Sequence, residues 1–338
     1  MLDQNGPCRN EGGSMGGIPS ISLGINKEKL RSVINKNYLD FAPEYMTFLT
    51  EWLTGTYQAF KDADKYFILV YLFNKNLEFY HDNFIKVDFE TFYNSEKIEI
   101  EKINIVEIAN FLNIPKETAR RKINELEKAG VIKKIGKKLV IDKSAFAMVK
   151  PTNTIKNFSN VLFVIYNICK QENMININIT KNDITNAIKS NFTFAWLHYY
   201  KFIFKWVKTW KKFFNNDTEM FLIWGVAVLQ RTYKMSKHQK LKLDITDYRN
   251  SVEKIETDGI NTMSLSEITG IPRPTVTRKL KFLISKEFLA MDKNKLIHVG
   301  IGSSRNKEIR EIQDNILNNF SELCATMCNQ VVISSRSS

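Results

Sequence analysis

IPKETARRKINELEKAG (114–130) opens on Ile-Pro, carries apolar residues at helical spacing and stops at a glycine. A proline in the first turn of a helix forfeits no hydrogen bond, because the first N–H groups have no partner there. With Pro115 in that turn, Ala119, Ile123 and Leu126 share one face at the i, i+4, i+7 spacing of a buried stripe. Glu117, Arg121, Asn124 and Lys128 then stand opposite, with Lys116 and Arg120 flanking near the N-terminal end. Just upstream, IVEIANFL (Ile105–Leu112) predicts a short helix that buries Ile108, Ala109 and Leu112 and stops at Asn113. Just downstream, VIKKIGKKLVID (131–142) changes to strand, Gly-centred turn and strand, with Lys133, Lys134, Lys137 and Lys138 near the tip. Helix, tight turn, polar-faced helix and basic hairpin are the parts of a winged helix-turn-helix, which lays its second helix in the major groove of DNA.

The same sentence recurs. IPRPTVTRKLKFLISKEF (271–288) stands 157 positions later, and at that offset 103–142 lies over 260–299 without a gap. Matching pairs include Ile103/Ile260, Ile114/Ile271, Pro115/Pro272, Thr118/Thr275, Arg121/Arg278, Lys122/Lys279, Leu126/Leu283 and Lys138/Lys295. Upstream the offset becomes 154: INKEKLRSVINKN (25–37) lies over ITKNDITNAIKSN (179–191), followed by Tyr45/Tyr199, Phe48/Phe202, Trp52/Trp206, Phe60/Phe214 and Phe67/Phe221. Similarity at a steady offset implies repeated structural units.

The expected fold class is mainly α with small β wings, an internal duplication of two helical halves that each end in a winged helix-turn-helix. The expected layout is a disordered tail at 1–20 and a first half at 21–150, with its winged helix at about 103–142. A connector at 151–174, a second half at 175–303 with its winged helix at about 260–299, and a C-terminal helix and tail at 304–338 complete it. Periodicity predicts a short helix in each half (27–35; 181–189) and two aromatic-rich ones (44–60 and 64–79; 197–214 and 218–233). Their aromatics (Phe48, Trp52 and Phe60; Phe202, Trp206, Trp210 and Phe214) read as core rather than stacking platforms for bases, since long helices must bury an apolar stripe.

In 338 residues, 49 Lys and Arg face 36 Asp and Glu, a formal net charge of +13, so an anionic partner is expected. A composition rich in Lys, Asn, Ile and Phe adds lysines without functional meaning, so their placement counts for more than their sum. Bases outnumber acids from 116 to 138 and again from 273 to 295, on the elements that would touch a duplex. Apolar runs such as MFLIWGVAVL (220–229) fall short of the ~20 residues of a membrane span. The Gly-rich N-terminus lacks the apolar core of a signal peptide. With four scattered cysteines (Cys8, Cys169, Cys324, Cys328), this points to a reducing, cytoplasmic setting. Cys324 and Cys328 are four apart but have no further ligand nearby for a metal. His81, His198, His238 and His298 are scattered without metal-ligand or triad spacing, and His198 reads as a packed or surface histidine among aromatics. GIGSSRNK (300–307) lacks the spacing of a phosphate loop. No enzyme activity, cofactor or metal is expected.

ETARRKINELEKAGVI followed by KKIGKKLVID resembles the winged helix of the cyclic-AMP receptor/Fnr regulators, with a looser likeness to MarR-type repressors. In that family a basic residue and a glutamate opening the recognition helix, and an arginine one turn on, read base edges. The resemblance puts those roles on Lys116, Glu117 and Arg121, and a phosphate contact on Thr118. The chemistry agrees, since Arg or Lys donates to guanine and Glu accepts from cytosine N4. Arg120, Asn124, Lys134, Lys137 and Lys138 complete the first expected contact set. The second is Arg273, Thr275, Thr277, Arg278, Lys281, Lys293 and Lys295, where Pro274 replaces Glu117, so the halves are not expected to read the same bases. The family's cyclic-nucleotide β-roll has no counterpart among the upstream aromatic helices, so control by a cyclic nucleotide is not implied.

The expected function is sequence-specific binding of double-stranded DNA by a transcriptional regulator whose two winged helices form an intramolecular pseudo-dimer. A plasmid- or phage-type replication initiator with tandem winged helices is the alternative, and a module using them for protein contacts a third. RNA polymerase or replication proteins are the secondary partners. Ile309, Ile312, Ile316, Phe320, Leu323 and Met327 predict one helix over 305–327. With two recognition helices already in one chain, it is expected to fold back on its own core in a monomer, a homodimer seam being its other use.

Overall fold

A computed structural model of the protein describes residues 24–94, 97–100, 104–136, 138–142, 150–238, 242–252, 258–300 and 306–336. The expected tail at 1–20, Cys8 and Lys137 lie outside the described residues. The chain runs α1 (Lys27–Lys36), α2 (Tyr38–Phe60), α3 (Ala63–Asp82), α4 (Phe89–Asn94), β1 (Lys97–Ile100), α5 (Ile105–Leu112), α6 (Lys116–Lys128), β2 (Ile132–Ile135), β3 (Lys138–Asp142) and α7 (Thr152–Gln171). It continues through α8 (Lys181–Ser190), α9 (Phe192–Phe213), α10 (Thr218–His238), α11 (Ile245–Val252), α12 (Thr262–Thr269), α13 (Arg273–Ser285), β4 (Leu289–Met291), β5 (Ile297–Val299) and α14 (Asn306–Arg336). The second run follows the order of the first, with a single bridge from Ile260 to Ile297 standing where β1 stands. Among the described residues the fold is mainly helical with two small antiparallel sheets, one of three strands in the order β1-β3-β2 and the other the β4-β5 hairpin.

Local chemistry explains the opening helices. Asn26 caps α1 by accepting from the Lys29 N–H, and Thr180 caps α8 in a capping box with Asp183. Both helices break at an asparagine, Asn37 or Asn191, and the next helix starts at once. α2 therefore begins at Tyr38, not at 44. Pro43 reads as a start signal but lies inside the helix, where the missing N–H costs one bond. Full burial of Phe41 and Ala42 offsets that loss. Pro115 is likewise one residue earlier than expected, serving as the N-cap of α6 rather than its first turn.

The long helices pack reciprocally. α2 lies on α10 while α9 lies on α3; α2 also packs on α7 while α9 packs on α14; α7 carries α8 as α14 carries α1. Trp52 and Trp206, 154 positions apart, meet edge to face at 6.2 Å. Phe48, Trp52, Phe202, Trp206, Trp210 and Phe214 are buried and Phe60 packs against them, so the aromatic stripes are core.

One segment departs from its expected role and another from its expected length. The span 151–174 is no linker: α7 fills it, with Ile155, Phe158, Val161, Leu162, Ile165 and Cys169 buried. α14 starts at Asn306 and runs past Met327 to Arg336, burying Ile316, Phe320, Leu323 and Met327. Its stripe faces α9, α1 and α8 of the same chain. Among the described residues, no helix is long and apolar enough to cross a membrane, and no cluster of three or more His, Cys, Asp or Glu side chains is arranged to hold a metal ion.

His198 lies on α9 with its ring 4.5 Å from that of Phe194. Burial first, then Lys201 and His81, hold its pKa down to about 4 from the ordinary 6.5. Below pH 6.5 the unfolded chain therefore binds more protons than the folded one. The contribution is complete above pH 6.5 and is lost as pH falls towards 4. His198→Gln is expected to shrink the fall in urea midpoint between pH 7 and pH 4.5. Equal falls in variant and wild type would show that His198 does not drive it.

Candidate nucleic-acid interface

The first unit is built around α5 and α6. Asn104 caps α5 by accepting from the Val106 N–H at 2.9 Å, and Asn113 ends it at φ 52°, in the left-handed region asparagine tolerates. Ala119, Ile123 and Leu126 of α6 are buried against this scaffold, as their spacing requires. Lys116, Glu117, Arg120, Arg121, Asn124 and Lys128 are exposed on the opposite side, and Thr118 is half-buried beside them. Ile135 pairs with Lys138 across the wing, and Gly136 turns the chain at φ 61°. Ile98, Ile132 and Ile141 anchor its inner face. Of the expected wing residues, Lys134 and Lys138 are exposed and Lys137 is undescribed.

The exposed bases of this unit are largely compensated. Arg120 donates to Glu117 at 3.0 Å and Arg121 to Glu125 at 3.4 Å. On the wing, Lys133 meets Asp142 at 3.0 Å, Lys134 meets Glu127 at 3.0 Å and Lys138 meets Glu99 at 2.8 Å. Glu125 also pairs with Lys65 of α3 at 2.7 Å, and that ammonium holds its carboxyl below the ordinary range.

A second stretch, 260–299, has a similar order of elements with different charges. Asn261 caps α12 by accepting from the Ser264 N–H at 2.8 Å, and Gly270 ends it at φ 72°. Val276, Leu280 and Leu283 of α13 are buried, while Arg273, Pro274, Thr277, Arg278 and Lys281 are exposed and Thr275 is half-buried. The β4–β5 hairpin has a longer turn organised by Asp292, which accepts from the N–H groups of Asn294 at 2.8 Å and Leu296 at 2.9 Å and contacts His298 at 3.0 Å. The Leu296 N–H first, then His298, keep the Asp292 carboxyl below its usual range. Lys293 and Lys295 stand exposed at the tip.

α6 and α13 are each also tied down on one flank by an ion pair. Lys122 of α6 donates to Asp62 Oδ2, while Oδ1 of the same carboxylate caps α3 through the N–H groups of Asp64 and Lys65. Lys279 of α13 donates to Asp217 Oδ2, while Oδ1 caps α10 through the Met220 N–H. These groups are mostly buried, at 12 % and 19 % exposure for the first pair and 9 % and 22 % for the second. Asp62 and Asp217 line one polar cleft together with Lys61, Asn216 and Glu219. Asn113, in the first helix-turn-helix turn, donates to Asn216 Oδ1 in the α9–α10 turn at 2.9 Å. Asp62, Asp217 and the wing acids Glu99 and Asp142 escape sequence reasoning. The one available signal is that Lys122 and Lys279 match across the repeat on positions flanking the buried stripe.

Residues 99–144 match the DeoR-like helix-turn-helix domain. No curated protein and no solved structure matches the chain. The match spans β1, α5, α6 and the wing, a small part of the sequence, and is DeoR-like rather than of the cyclic-AMP receptor/Fnr or MarR type. Geometry and match agree on one winged helix-turn-helix, a DNA-binding domain, at 99–144.

Proposed function

We propose that the protein is a sequence-specific transcription regulator of double-stranded DNA in which two helix-turn-helix units act as a pseudo-dimer within one chain. The repeated anchor carries this reading: Lys122 and Lys279, at matching positions, tie α6 and α13 to the two carboxylates of one cleft. Anchoring of both helices at one cleft supports a single chain that presents two recognition helices to successive major grooves, which lie about 34 Å apart in DNA. The shared element order and the reciprocal helix packing support an internal duplication as its origin.

Lys116, Glu117 and Arg121 are the base readers in this proposal, because they stand exposed on the outer face of α6 and carry groups that pair with guanine and cytosine edges, with Thr118 on phosphate and Arg120 and Asn124 beside them. The Arg120–Glu117 pair is exposed, and in the Arg121–Glu125 pair the arginine is exposed while Glu125 is half-buried and keeps Lys65 as a second partner. Exposed pairs contribute about 0–1 kcal/mol, so guanine and cytosine edges replace them easily. Pro274 in place of Glu117 implies unlike half-sites. Selection from a random duplex pool should return a site of two different halves bound by one chain. A strictly symmetric site bound by two chains would sink the pseudo-dimer.

Arg121→Ala is expected to lose about 1–3 kcal/mol on the selected site while binding random duplex almost normally. Anisotropy titrations on both duplexes measure this, and equal losses would remove Arg121 from base reading.

A further inference from the structure

Counting bases and acids along the sequence makes the first winged helix the stronger electrostatic partner of DNA; the folded charges reverse that order. In the first unit Arg120, Arg121, Lys133, Lys134 and Lys138 each hold a carboxylate, two of which, Glu99 and Asp142, come from strands outside the recognition helix and its turn. In the second unit Arg273, Arg278, Lys281, Lys293 and Lys295 make no ion pair among the described residues, and all five are exposed. Its wing acid, Asp292, is turned onto the backbone of its own loop and His298. Pro274 stands where Glu117 stands in the first unit, so the exposed face of α13 carries no carboxylate at its N-terminal end.

We propose that the units divide the work unequally: the second supplies most of the sequence-independent attraction to phosphates, and the first most of the discrimination between bases. The inference rests on the DNA-binding reading of both units. An uncompensated Arg or Lys that meets a phosphate releases a counterion, and the salt dependence of binding grows with each such contact. A base already held by a carboxylate must give it up, and the freed carboxylate recruits a cation or repels the phosphate, so the net release is small. The acids of the first unit therefore oppose indiscriminate docking, and α6 settles where a matching base edge takes up Glu117 or Arg121.

The test is the slope of log affinity against log salt for the full chain on a random duplex, followed by fluorescence anisotropy in KCl. Arg278→Ala or Lys281→Ala should each flatten the slope by about 0.9, which reduces the affinity drop between 50 and 200 mM salt by about 3.5-fold. Arg120→Ala or Lys134→Ala should change it by less than half as much, and Glu99→Gln or Glu127→Gln should steepen it. All are exposed or half-exposed positions, and thermal melts by circular dichroism confirm that each variant is folded. Equal flattening from both units, or flattening confined to the first, overturns the division of labour while leaving DNA binding intact. Absence of any salt-dependent duplex binding by the wild type would instead overturn the functional reading itself.

Discussion

Lys122→Ala is expected to cost about 3 kcal/mol of folding stability, and Lys279→Ala about the same. Removing one partner of a mostly buried pair strands a carboxylate in a place water reaches poorly, and typical losses run from about 3 to 5 kcal/mol. The low end applies because Asp62 and Asp217 keep their helix-capping N–H bonds and retain some solvent. The double variant Lys122→Met with Asp62→Asn removes both charges, keeps the cap acceptor and should recover most of the loss. Urea denaturation decides: if single and double variants are equally destabilised, the ion pair is not the cause. The Lys122→Ala protein should also lose site preference more than general affinity, because a loosened α6 no longer presents Arg121 at a fixed angle.

Phe320→Ala should be costlier still, at about 4 kcal/mol. The ring is fully buried and meets Phe41 at 6.0 Å, Tyr45 at 4.4 Å and Phe202 at 5.6 Å, so it joins α14 to both α2 and α9. Truncating a buried Phe forfeits its transfer free energy and leaves a cavity, with losses of about 3–5 kcal/mol. A loss under about 1 kcal/mol in urea would mean that α14 is not seated on this core.

How much of this was legible depends on the range of the forces involved. The face of α6 was readable because Ala119, Ile123 and Leu126 follow a local period, and the wing because Gly136 marks a turn within a few residues. α7 carries an equally regular stripe from Ile155 to Cys169, but lying between two recognisable halves it reads as a joint; only its burial under α2 and α8 identifies it as core. β1 is four residues long, and its pairing with β3 decides its state rather than its own composition. The Asp62–Lys122 pair joins residues 60 positions apart, and no local pattern reports such a contact. Pro43 shows the opposite case: a local helix-breaking signal yields to the burial of its neighbours.

The crossed packing of α2 with α10 and α9 with α3 has a consequence for how the chain is made. A ribosome delivers the N-terminal part first, at about 5–20 residues per second. When α2 and α3 emerge, the surfaces meant to cover Trp52 and Phe67 are still untranslated, and α10 follows on the order of ten seconds later. During that interval the nascent chain carries exposed aromatic faces and offers a binding site for chaperones. Neither half has a complete core of its own, so cutting the gene at the midpoint should give two insoluble fragments rather than two small DNA-binding proteins.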